Sequence, residues 1–150
     1  YASRGLGDVY KRQPTGEIAS VEGTPMDFRT EKQIGQDIRA DFEQLHFTGG
    51  YDHNYVLGRP GEKKIMANAY CRESGIALEA ETDCCGVQFY AGNFIGEQTG
   101  KGGASYHDRS AFCLESQFYP NAVNEPDFPS PVVKAGDTYH TETSYRFYLR

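Results

Sequence analysis

Residues 65–84 hold two segments in which side chains of opposite character take turns. Ile65, Ala67, Ala69 and Cys71 alternate with polar or aromatic residues. Ile76, Leu78, Ala80, Thr82 and Cys84 do the same, and Glu73, Ser74 and Gly75 stand between the two segments. Successive side chains of a strand point to opposite faces, so this period with a short glycine-containing break predicts an antiparallel hairpin. The signal recurs along the chain. Ile18 to Val21 predicts a short strand, Val87 to Tyr90 a third long one, and Ala111 to Gln117 a fourth. In residues 138–149, Tyr139, Thr141, Thr143, Tyr145, Phe147 and Leu149 fall on one face. Only Gln36 to Phe47 breaks the pattern, with Ile38, Phe42 and Leu45 spaced as one face of a short surface helix. Strands of this kind, joined by connections rich in the chain's 17 glycines, predict an all-β fold of antiparallel sheets packed face to face, a β-sandwich.

A chain of 150 residues implies one domain. The hydrophobic fraction is a modest 38%, but 11 Tyr and 9 Phe raise the area available for burial, since each aromatic buries on the order of 150–250 Å². A net charge of −6 speaks against a nucleic-acid partner or a cationic membrane surface. No apolar run reaches the roughly 18 residues of a membrane span, and the first residues lack the apolar segment of a signal peptide. Cys71, Cys84, Cys85 and Cys113 show no CxxC spacing, and two adjacent cysteines suit neither an ordinary disulfide nor a zinc site. Cys71 and Cys113 lie in apolar runs, where a free thiol behaves as a small hydrophobe. All four read as reduced, which favours a reducing compartment, the cytoplasm. Residues 1–13, YASRGLGDVYKRQ, are set apart. They carry three basic residues and one acid, have no periodicity and lack the Gly-Lys-Ser/Thr of a phosphate loop. They read as a foreign leader joined at Pro14, with the folded unit in 14–150.

The polar stretch that interrupts this pattern is TGGYDHNYVL, Thr48 to Leu57. Gly49 and Gly50 precede Tyr51; Asp52, His53 and Asn54 then come together before the strand start Tyr55, Val56 and Leu57. Two readings are open. Asp and Asn bond their own backbone and make turns, while polar groups between a glycine turn and an apolar strand also suit a site at a sheet end, where glycine lets the backbone approach a ligand.

The motifs PTGEI, GTPMDFR, GGYDHNYVL, GVQFYAGNF, GKGGASYHDRSAFCLESQFYPNAVNEPDFPSP and AGDTYHTETSYRF follow one another along residues 14–150. Together they resemble the aldose 1-epimerase, or galactose mutarotase, family, and specifically its C-terminal half. The resemblance implies a galactose mutarotase-like supersandwich about twice as long as this chain, here truncated at its start. It implies exchange of the α and β anomers of a free hexose such as galactose or glucose, with no cofactor and no metal because only protons move. Of the site residues, the resemblance puts Glu115 at the general base, with Asp52 and Gln88 contacting sugar hydroxyls. A carboxylate accepts from two hydroxyls, and an amide donates and accepts together. Glu115 follows Phe112, Cys113 and Leu114, and an apolar strand would raise the pKa of a buried carboxyl by desolvation; the alternation there equally allows it to point to water. His53 reads as structural, because the family's acid is a histidine in the half this chain does not match. His46, His107 and His140 match no functional position. Tyr55, Phe89 and Tyr90 have the shape to stack on a sugar but more often pack a core. A base without its acid, and sheet edges without their partner strands, imply weak catalysis and a tendency to aggregate.

Three other functions compete. A non-catalytic carbohydrate-binding sandwich would need Asp52 and Gln88 but not Glu115. A glycosidase would need two carboxylates about 5–9.5 Å apart, for which Asp52 and Glu115 are the evident pair. A phosphosugar epimerase would need a cationic cradle, for which Arg29, Lys32 and Lys101 are scattered. The small-molecule partner in the leading reading is a hexose; oligomeric state is left open.

Overall fold

In a computed structural model of the chain, residues 2–3 and 15–150 are described. Ten strands and one short helix follow one another: β1 Ala2–Ser3, β2 Ile18–Ala19, α1 Glu43–Thr48, β3 Asp52–Val56, β4 Lys64–Tyr70, β5 Ile76–Thr82, β6 Gly86–Tyr90, β7 Gln98–Thr99, β8 Ser105–Tyr106, β9 Cys113–Gln117 and β10 Thr143–Leu149. One sheet has the order β2-β1-β3-β6-β9, a second β10-β5-β4, and β7 with β8 form a small ribbon. Every strand pair is antiparallel, as the alternation requires. Of the set-apart stretch 1–13, Ala2–Ser3 pairs with β2 and β3, and the rest lies outside the described residues.

The core lies between the two large sheets and under the loop that precedes α1. The odd-numbered residues of β3 and β6 face it. Met66 and Ala80 of the second sheet pack on Val87, with Tyr55 and Leu114 against them. Val21, Met26, Ile38 and Leu45 from the loop and helix pack on Tyr51, Phe89 and Ala91. Phe28 sets its edge against both Tyr51 and Phe89. A third cluster, Cys85 with Tyr119, Ala122 and Phe128, closes the far end. No helix among the described residues is long and apolar enough to cross a membrane.

The strands expected at 65–84 form the hairpin, with two adjustments. The register slips between Ile65 and Ala67. This bulge turns Met66 inward and leaves Ile65 53% exposed, although the strict period puts Ile65 inside. Cys71 and Cys113 are exposed thiols, not buried ones, because one stands where the hairpin turns and the other on an edge strand; Cys84 and Cys85 are the buried pair. The helix is also shorter than the spacing predicts. Residues 36–42 run as successive turns and only Glu43–Thr48 is helical. Six residues give little return on the cost of helix nucleation, so packing of Leu45 holds α1, and Ile38 reaches the core from a turn instead. The last strand begins at Thr143, leaving Tyr139 and Thr141 outside it. Its shared apolar face is only half used: Tyr145 bonds the Leu114 carbonyl through its hydroxyl at 2.8 Å, whereas Phe147 and Leu149 are 69% and 81% exposed.

Candidate functional site

The face of the first sheet opposite the core carries the polar residues. Cross-strand partners share a face, so the register assigns it: Asp52 stands opposite Tyr90, Asn54 opposite Gln88, Tyr90 opposite Cys113 and Gln88 opposite Glu115. Two rows result, Asn54–Gln88–Glu115 and Asp52–Tyr90–Cys113, on three neighbouring strands. Asp52, Gln88 and Glu115, which lie far apart in sequence, are thereby brought together. Gln88 Nε2 donates to Asp52 Oδ1 at 2.8 Å along the diagonal of this lattice, a reach such diagonal pairs allow to long side chains. Gln88 Oε1 is buried and without a protein partner.

The carboxylates of Glu115 and Asp52 both act on the Cys113 thiol. Partial burial pushes the Cys113 thiol up, and the charges of Glu115 and then Asp52 push it further. Asp52 is half-buried, but Glu115 is exposed. The apolar residues before Glu115 therefore do not bury it. The reason is its place: β9 is the last strand of its sheet, and Phe112 and Leu114 turn to the other face. Phe112 packs edge-on to Phe89, and Leu114 joins the core.

The histidines are elsewhere. His53 alternates out of the polar rows onto the core face, where it is 2% exposed. Its Nδ1 accepts from the Asp52 amide at 3.1 Å. Burial takes it down to about 4, opposed by the Gln44 backbone carbonyl; it is a neutral core side chain near pH 7. His46 lies on α1 near Asp41, and His107 and His140 are exposed in connections. Of the aromatics, Tyr55 and Phe89 belong to the core. Tyr90 alone of the three stands on the polar face, where its hydroxyl accepts from the Phe94 amide at 2.9 Å. Asn54 and Cys113 share that face and were not singled out as site residues; counting two residues on from Asp52 and two back from Glu115 would have found them. Among the described residues no group of three or more His, Cys, Asp and Glu is arranged to hold a metal ion. An open groove of about 490 Å³, with Ile38, Arg39, Ala91, Arg109 and Phe112 in its walls, lies beyond the strand ends on the side of Ala91 and Phe112. It does not cover the polar rows.

The glycine turn before Asp52 has its own scaffold. Gly49 and Gly50 have φ of 64° and 143°, the second open to glycine and little else. Asn93 is buried and donates through Nδ2 to the carbonyls of Thr48 and Tyr51.

The family model "Aldose 1-epimerase" matches residues 5–146. Bovine galactose mutarotase is 44% identical over 135 residues, which is 89% of this chain and 38% of the bovine protein. The aldose 1-epimerase of Escherichia coli K12 is 35% identical over 137 residues, 39% of its length. In three dimensions the chain resembles the crystal structure of a GalM/aldose epimerase homologue from C. elegans, with a TM-score of 0.72 and 31% identity over 91% of this chain and 40% of that one. The chain thus spans about two fifths of the length of these relatives. With nearly all of its length matched, from the residues before the first long strand to the last one, the chain belongs to the aldose 1-epimerase family.

Proposed function

We propose that this chain provides the proton-accepting and sugar-gripping part of an aldose 1-epimerase acting on free hexoses such as galactose and glucose. The observation that carries this reading is the convergence of Asp52, Gln88 and Glu115 on one face, with Gln88 already bonded to Asp52. Two relatives bear the names galactose mutarotase and aldose 1-epimerase, which supports the same reaction. In it, Asp52 and Gln88 hold adjacent hydroxyls of the sugar. Glu115 takes the proton from the C1 hydroxyl, an acid protonates the ring oxygen, and the C1–O bond opens. The aldehyde turns about C1–C2 and the ring closes on the other face. Only protons move, and paired acid and base of this kind contribute about 10²–10⁴-fold.

The acid is supplied by residues outside this chain. His53 is on the wrong face, and His46, His107 and His140 are not on the strands of the site. The exposed Tyr145, Phe147 and Leu149 and the outer edge of β9 give the remaining three fifths of such a domain a place to pack, and that packing would also exclude water from Glu115. By itself the chain is weakly active or inactive. The second reading, a carbohydrate-binding module without catalysis, draws on the same contrast between a formed Asp52–Gln88 pair and an open Glu115.

Polarimetry of freshly dissolved α-D-galactose, with the chain and with its Glu115→Gln variant, tests the reaction; D-galactose titration watched at Gln88 by NMR tests the binding. Faster anomerisation with the chain and not with the variant means a usable acid is present, and His53 is then the first to substitute. Binding without acceleration fits the proposed division. Sugar that leaves Gln88 unmoved would sink the reading.

A further inference from the structure

We propose that Asn93 is a positioning residue for this site: its side-chain amide locks the glycine turn that delivers Asp52 to Gln88. The inference rests on the reading of Asp52 and Gln88 as sugar-contacting groups, but its evidence lies in the turn.

Asp52 is the first residue of β3, and Tyr90, the last of β6, is its ladder partner. Beyond that pair a last ladder bond joins the Ala91 amide to the Tyr51 carbonyl, and the turn before it, Thr48 to Gly50, lies outside the sheet. Side chains hold the carbonyls of that turn. Asn93, three residues past β6 and 5% exposed, donates from one nitrogen to the Thr48 carbonyl at 3.1 Å and the Tyr51 carbonyl at 3.0 Å. Tyr51 also accepts from the Ala91 amide at 2.9 Å. Arg109 donates to the Gly49 carbonyl at 2.7 Å, and the Thr48 hydroxyl donates to the Gly50 carbonyl. Every carbonyl from Thr48 to Tyr51 is thus held, two of them by Asn93.

The residue types fit the task. Two buried carbonyls facing one point need two N–H donors on one nitrogen, which an amide has and a carboxylate or leucine of similar size lacks. Asn93 Oδ1 is buried without a partner; turning the amide over would set that oxygen against both carbonyls. A Cβ on Gly50 would lie 2.3 Å from this same Oδ1, so the glycine leaves the space that Asn93 occupies. The carbonyls of the turn, the Asp52 backbone and the 2.8 Å bond from Gln88 form one continuous chain of contacts.

The first test uses the unaltered protein. The Asn93 side-chain NH₂ protons should exchange with water far more slowly than those of an exposed amide; exchange at the exposed rate overturns the proposal. Asn93→Ala comes next. With the methyl resonances of Met66 and Val87 unchanged, the Gln88 side-chain amide signals should move toward those of Asp52→Ala, and half-saturation by D-galactose should need about tenfold more sugar, as a small misplacement of a binding group does. Phe128→Leu, in the separate cluster with Tyr119, should move neither. Gln88 signals that stay at their wild-type positions in a folded Asn93→Ala protein overturn the proposal. Should that variant not fold, Asn93→Ser, which keeps one donor, is read the same way, and the exchange measurement stands regardless. If the wild-type chain takes up no D-galactose, the sugar reading fails, while the Gln88 signals still decide for or against Asn93.

Discussion

The two halves of the candidate site are built differently. Asp52 and Gln88 sit on the central strands β3 and β6, bonded to each other and backed by the buried Phe89 and His53 on the other side of the sheet. Glu115 sits on the edge strand β9, exposed, with its backbone steadied from the second sheet by Tyr145 at the Leu114 carbonyl and by Ser116 at Thr143. The described residues half-bury the first pair and bond its members to each other. For the second they supply the strand and its direction but leave the carboxylate exposed. A hydrogen-bonding group works where its neighbours fix it, whereas a base that must act near neutrality needs a particular dielectric around it. The contrast separates a hydrogen-bonded pair fixed on central strands from a carboxylate left exposed on an edge strand.

Four measurements would break or sharpen this contrast, in order of expected effect on stability. Phe89→Ala empties the space beneath the central strands and should cost about 3–5 kcal/mol in urea unfolding; a loss below about 1 kcal/mol would mean that the central strands are no better supported than the edge. His53 is next. Its pKa is about 4 in the folded protein against 6.5 ordinarily, so below pH 6.5 the unfolded chain takes up the proton first. Stability should be full above pH 6.5 and fall as the pH drops toward 4, by about 3 kcal/mol from this group. His53→Gln should show a shallower fall over the same window. Equal slopes would put His53 in contact with water. Gln88→Ala removes a donor from a half-buried carboxylate, with an expected cost of about 1–2 kcal/mol and loss of D-galactose binding. Glu115→Gln should change stability by less than about 0.5 kcal/mol, as exposed substitutions do, whatever it does to anomerisation; a larger change would show that the described residues already engage its carboxylate.

Much of this was readable in residues 67–84 and 87–90, where the period of two is regular and the strands fall where it predicts; the strand expected from Tyr55 instead begins at Asp52 and takes in the polar residues before it. Reading failed where local pattern and packing disagree. Ile65 keeps the period but a bulge hands its place to Met66. The helical spacing of Ile38, Phe42 and Leu45 is met by turns followed by a six-residue helix, because burial asks only that the apolar groups arrive, not by which backbone. Cys71 and Cys113 stand in apolar runs yet face water, since an edge strand or hairpin end buries fewer of its residues than a central strand.

For the site, the sequence by itself determined which side chains share a face. Alternation is a property of one strand, so Gln88 with Tyr90 and Cys113 with Glu115 follow from counting within the expected strands, whereas Asp52 with Asn54, and the separation of His53 from Asp52, follow only once the strand is known to begin at Asp52. Register and burial belong to the assembled sheets, and only the tertiary structure decided them. It set Gln88 between Asn54 and Glu115, brought Asp52 within 2.8 Å of Gln88, and left Glu115 open at the edge. No count along a strand can say what lies beside it, because hydrogen bonds to neighbouring strands and the water they exclude come from residues distant in the chain.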